Sequence, residues 1–144
     1  MREKFPLKII EENNQFKVAT SLDKIKEKSG NIRQELSYLE LDYTILMKTV
    51  RETISISSGS KKLDPRFYWL VGDYTLNFIN RIDDLGYYLL QQNQTLSKSI
   101  GISQSSLRKI LSFRKRFPKM SLVNPGISWA KYRDNKVPVL KDHM

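Results

Sequence analysis

A run of side chains between residues 98 and 119 has the chemistry of a nucleic-acid contact. Gln104, Ser105, Ser106 and Arg108 carry donors and acceptors that can reach base edges in a major groove. Lys98, Lys109, Arg114, Lys115, Arg116 and Lys119 carry charges that neutralise phosphates. Lys131 and Arg133 add a second basic strip further on. Catalytic chemistry is poorly provided for. The single histidine, His143, stands next to the C-terminus. Asp83 and Asp84 are adjacent, so they point to different sides of a helix and make no acid–base pair. There is no cysteine, which removes thiol nucleophiles, disulfides and Cys-based metal sites. A Gly-rich phosphate loop and a Glu-x-Lys nuclease signature are both missing. The expectation is a protein that is not an enzyme and uses no cofactor or metal.

The same window supplies a scaffold. Leu96-Ser-Lys-Ser-Ile-Gly-Ile-Ser-Gln-Ser-Ser-Leu-Arg-Lys-Ile110 reads as a helix-turn-helix. Leu96 and Ile100 lie on one face of a first helix. Gly101 stands where the turn needs a residue free of a β-carbon penalty. Ile102 plugs the turn, and Ser103 is placed to cap the second helix. Leu107, Ile110 and Leu111 form the inward face of that helix, continued by Phe113 and Phe117, and Pro118 ends it. The competing description is an ordinary pair of core helices with a solvated basic face.

Charge distribution favours the first description. Formal net charge is +10. Residues 1–60 hold ten Lys/Arg and nine Asp/Glu, whereas residues 61–144 hold fifteen and six. Between Asp84 and Asp134 there is no acidic residue. Solvated surfaces ordinarily intersperse both signs. An acid-free segment centred on a recognition helix is the footprint expected for phosphate binding.

The preceding elements must hold this helix. Residues 1–19 alternate apolar and polar around Asn13-Asn14, which suits a small hairpin or a basic arm. Pro6 would confine its strand to a sheet edge. From Thr20 the apolar spacing is a heptad seam: Leu22, Ile25, Ile32, Leu36, Leu39, Tyr43, Leu46 and Val50, with Ser29 between. Gly30-Asn31 breaks it, giving a short helix near 21–28 and a long one near 31–56. The seam serves a dimer interface or packs on the chain's own helices. Residues 57–62 form a polar linker. Asp64-Pro65 starts the next helix, with Phe67, Val71, Tyr74, Phe78 and Ile82 as its buried stripe. Gly86 loosens the chain before Tyr87-Tyr88-Leu89-Leu90, after which helix resumes, with Thr95 as a cap. After Asn124-Pro-Gly126, Ser128 caps a short last helix through Trp129 and Tyr132. The other reading there is a wing hairpin.

Tyr68-Trp69-Leu-Val-Gly72, Gly86, Ile102-Ser103-x-x-x-Leu107-x-x-Ile110-Leu111-x-Phe113, Pro118 and Ser128-Trp129-x-x-Tyr132 together resemble the helical N-terminal domain of YhcG-type proteins. That domain usually precedes a PD-(D/E)XK nuclease domain, and its own role is inferred to be DNA binding. The resemblance covers about residues 67–133. The segment between Gly86 and Ile102 is short for the family, and only a tail follows residue 133. What the resemblance implies is the helical DNA-binding module without the nuclease.

The fold class expected is therefore all-α: a helix-turn-helix domain preceded by a long heptad-patterned helical segment, with a small N-terminal β-hairpin as an addition. Its divisions are an arm or hairpin over 1–19, a helical dimerisation segment over 20–56, the DNA-binding domain over 64–133 and a tail over 134–144. The partner expected is double-stranded DNA, bound by a homodimer in a regulatory or architectural role. The alternatives are a helical scaffold that binds a partner helix through its seam, and an RNA-binding module. With no stretch of eighteen apolar residues and no leader pattern, the location expected is cytoplasmic, without membrane contact, and nucleoid-associated in a prokaryote.

Overall fold

A computed structural model describes residues 4–13, 15–20, 32–58 and 64–139. The N-terminal alternation forms a hairpin. Strands β1 (Phe5–Glu12) and β2 (Gln15–Thr20) pair antiparallel, with Leu7 opposite Thr20 and Glu12 opposite Gln15. Helix α1 spans Ile32–Ser58. Helix α2 (Pro65–Asp84) begins where Asp64 and Pro65 place it: the Asp64 carboxylate accepts the Arg66 amide at 2.9 Å. The Arg66 guanidinium beside it holds the Asp64 carboxyl below the usual carboxylate range.

The chain is mixed α and β, not all-α. Tyr87-Tyr88-Leu89 is strand β3 (Tyr87–Leu89), which pairs parallel with Phe5–Leu7 and gives the sheet order β2-β1-β3. Its side chains alternate, with Tyr87 and Leu89 buried and Tyr88 exposed. Gly86 turns the chain out of α2 at φ 88°, and its carbonyl accepts the Phe5 amide at 2.9 Å. The sheet places Pro6 on the central strand rather than an edge. Phe5 and Leu7 bond towards β3, so Pro6 faces the other way, past the end of β2 at Thr20. A missing N–H is not needed there, and the Thr20 hydroxyl donates to the Pro6 carbonyl at 2.7 Å.

The remaining elements are α3 (Gln92–Ile100), α4 (Gln104–Arg116), a 3-10 turn (Met120–Leu122) and α5 (Trp129–Arg133). Thr95 lies inside α3 and does not cap it; its hydroxyl donates to the Leu90 carbonyl at 3.2 Å. The short last helix is present rather than a wing hairpin: among the described residues no strand follows β3.

One core joins the sheet to every helix. Tyr43 sits at its centre, with its ring 4.8 Å from Phe16 on β2 and 5.3 Å from Phe78 on α2. The seam residues Leu39, Tyr43, Leu46 and Val50 are buried in this core, and Ile32 and Leu36 are half-buried. Their partners are α2, the sheet and α3 of the same chain. This corrects the dimerisation assignment for those four, because a side chain buried at home offers no surface to a second copy. Leu22, Ile25 and the helix expected over 21–28 lie outside the described residues. Polar ties reinforce the packing. Arg81 of α2 holds Asp42 of α1 through two bonds of 2.9 Å. Arg51 of α1 donates to the Ser99 carbonyl in the last turn of α3.

Candidate nucleic-acid interface

The two helices and the turn between them form as their residues dictate. Gly101 takes φ 90°, and both its amide and that of Ile102 return to the Ser97 carbonyl, at 2.8 and 3.0 Å. Ser103 caps α4: its Oγ accepts the Ser106 amide at 3.0 Å. Leu107, Ile110, Leu111 and Phe113 bury the inner face of α4. Its outer face presents Ser105, Arg108, Lys109, Ser112 and Lys115, all exposed.

Two hollows flank that face. The first, about 280 Å³, lies between α4 and the end of α5 and is lined by Ser105, Arg108, Lys109, Ser112, Arg116, Arg133 and Asn135. The second, about 550 Å³, lies towards α2 and the start of α3, where Leu76, Ile79, Gln92, Asn93 and Lys115 join Arg108, Leu111, Ser112 and Arg116. Arg108, Ser112 and Arg116 line both, so they form the ridge between them. No carboxylate lines either hollow. Asp134 stands nearby and pairs with Arg133 at 3.1 Å. Arg133 in turn draws the Asp134 carboxyl below the usual range.

The expected contact residues divide into groups. Ser105, Arg108, Lys109 and Lys115 share the outer face, and Arg116 and Arg133 border it. Arg114 does not reach it. Its guanidinium pairs with Asp73 of α2 at 2.9 Å and lies 4.8 Å over the Trp69 ring. Arg116 is half committed, donating to the Tyr132 carbonyl at 2.9 Å and resting against Phe117. Ser106 turns to the opposite flank, where a cleft of about 180 Å³ also holds Ile54, Tyr68, Ile102, Ile110, Trp129 and Arg133. Lys98 lies on the far side of α3, beside β1. Gln104, Lys119 and Lys131 are exposed but line neither hollow.

Ser112, Gln92, Asn93 and Asn135 belong to the surface and were not expected there. Ser112 was within reach of the sequence, since it follows Ser105 by seven and Arg108 by four. Gln92 and Asn93 were not, because the start of α3 had no visible signal.

The aromatic motifs at either end of the domain meet behind α4. Tyr68 stacks on Trp129 at 4.4 Å, and the Trp69 indole donates to the Phe117 carbonyl at 2.6 Å. Phe113 touches Trp129 and Tyr132, each at 5.1 Å between centroids. The Tyr132 hydroxyl accepts the Asn124 amide at 2.7 Å. This cluster fixes the base of α4 and leaves its outer face uncovered.

Among the described residues there is no group of His, Cys, Asp and Glu able to hold a metal, and no helix long and apolar enough to cross a membrane. The chain matches no known protein family, no curated protein and no solved structure.

Proposed function

We propose that this protein binds double-stranded DNA by laying the outer face of α4 in the major groove. The observation that supports this best is the acid-free ridge of Arg108, Ser112 and Arg116 between two hollows edged by Lys109, Arg133 and Lys115. A duplex presents that relief in reverse: base edges at the bottom of a groove about 12 Å wide, with a phosphate wall on either side. Helix α4 has thirteen residues, so it is roughly 20 Å long and spans such a groove. The small side chains of Ser105 and Ser112 let its backbone approach closely. Arg108 is the residue best placed to read a base, because it projects from the ridge. Lys109 and Lys115 lie to either side of it, where phosphates would run.

Two substitutions test these roles. Arg108→Ala relaxes whatever sequence preference the protein has, by about 1–3 kcal/mol at one base position. Lys115→Ala weakens binding to all duplexes alike. Binding measured against a set of duplex variants separates the two patterns. If both variants lose affinity uniformly, α4 grips the backbone and the base-reading role of Arg108 is wrong.

A further inference from the structure

Helix α1 carries a second apolar stripe, nearly opposite its core seam. Tyr38, Leu41 and Ile45 are 53%, 60% and 55% exposed. At 100° per residue they fall in one narrow arc, which Gln34, Lys48 and Glu52 continue in both directions. Exposed apolar residues scattered singly need no explanation, but a row at three- and four-residue steps is a seam. Beside it, α1 and α2 leave a hollow of about 250 Å³ lined by Asp42, Ile45, Thr49, Tyr74 and Asn77, among others. Lys48 and Glu52 make no ion pair among the described residues.

We propose that this stripe joins two copies of the chain as an antiparallel helix pair, about a two-fold axis level with Tyr43. A two-fold contact must be complementary to itself. In this register each pairing matches. Leu41 meets Ile45 of the second copy, and either can enter the hollow beside α1. The Lys48 ammonium meets the Tyr38 ring, a cation–π contact. The Gln34 amide meets the Glu52 carboxylate, donor to acceptor. A parallel pair in register would oppose Lys48 to Lys48 and Glu52 to Glu52, so charge selects the antiparallel arrangement. Helix α2 packs on both α1 and α4, so pairing through the outer side of α1 leaves the α4 ridge open on each copy.

Sedimentation velocity on the full chain, without nucleic acid, tests the contact over a micromolar concentration series. The wild type sediments as a dimer. Leu41→Glu shifts dissociation by about tenfold or more towards monomer, while the chain stays folded with the circular dichroism spectrum of the wild type. A wild type that stays monomeric overturns the proposal. So does a Leu41→Glu chain that unfolds, because the stripe would then be covered by the chain itself. Orientation is read by cross-linking, since no native cysteine interferes. Leu41→Cys chains mixed with Ile45→Cys chains form more disulfide dimer than either alone. Equal yields from Leu41→Cys alone contradict the antiparallel register. All these readouts are independent of DNA binding, so either conclusion can fail without the other.

Discussion

The guanidinium of Arg114 is committed to the fold. It neutralises Asp73 and covers the Trp69 ring, and both members of the ion pair are largely shielded, at 17% and 22% side-chain exposure. Arg114→Ala should cost about 2 kcal/mol, because it strands a partly buried carboxylate. Its neighbour Lys115 is exposed and lines the second hollow. Lys115→Ala should leave stability within about 0.5 kcal/mol of the wild type and weaken duplex binding several-fold. Urea denaturation with a binding titration checks the pair, and the opposite pattern would mean the two roles are reversed. Tyr43 makes a second claim at this scale. Its hydroxyl donates to Ser99 Oγ at 2.6 Å, and burial pushes its pKa from 10.0 up to about 12. Tyr87, which donates to Glu35 at 3.0 Å, shifts in the same direction, again through burial first. An unfolded tyrosine ionises at about 10. The stabilisation is therefore fully present below pH 10 and is lost as pH rises towards 12, because the unfolded chain gives up its proton first. Tm should fall steeply across that window, and Tyr43→Phe should fall less steeply. Parallel curves for the two proteins would refute this assignment.

Between elements, the position of α4 depends on a close crossing with α2 at Gly72. A β-carbon added there would lie 2.7 Å from Arg114 Cβ and 3.1 Å from the Ile110 carbonyl oxygen. Backbone cannot yield as a flexible side-chain tip can. Gly72→Ala should therefore destabilise by about 1–3 kcal/mol despite the higher helix propensity of alanine. A variant as stable as the wild type in urea would show that the helices separate at no cost. Much of this scaffold is legible in the sequence because its signals are local. Asp64-Pro65, the Gly101 turn and the Ser103 cap each act within a few residues. Arg114 follows Leu107 by seven and Ile110 by four, which puts it on the inward face, but its charge favours a phosphate contact in the sequence and that assignment is the one the structure overturns. Strand β3 was not legible. Three residues carry no measurable period, and its partner, Phe5–Leu7, is about eighty residues away along the chain. The heptad spacing of α1 marks a seam from Leu39 to Val50, but spacing alone does not say which molecule fills it.

Across the whole molecule, the β1–β2 hairpin and α1 lie in the part of the chain where charge balances, and α4 lies in the stretch without acids. Ion pairing sharpens the asymmetry: Asp73 and Asp134 take up Arg114 and Arg133, while Arg108, Lys109 and Lys115 remain on the outer face. Duplex affinity should thus depend on few, well-placed cations, each phosphate contact adding about one unit to the log–log salt slope. The decisive measurement is fluorescence anisotropy of a labelled mixed-sequence duplex, about three helical turns long, over a salt series. A single-stranded oligonucleotide and an RNA hairpin run alongside. Major-groove docking of α4 predicts tightest binding to the duplex, a linear log–log salt slope of about three units, and a slope smaller by about one unit for Lys115→Ala. Failure to bind the duplex at low salt, or tighter binding to the single strand or the hairpin, would contradict it.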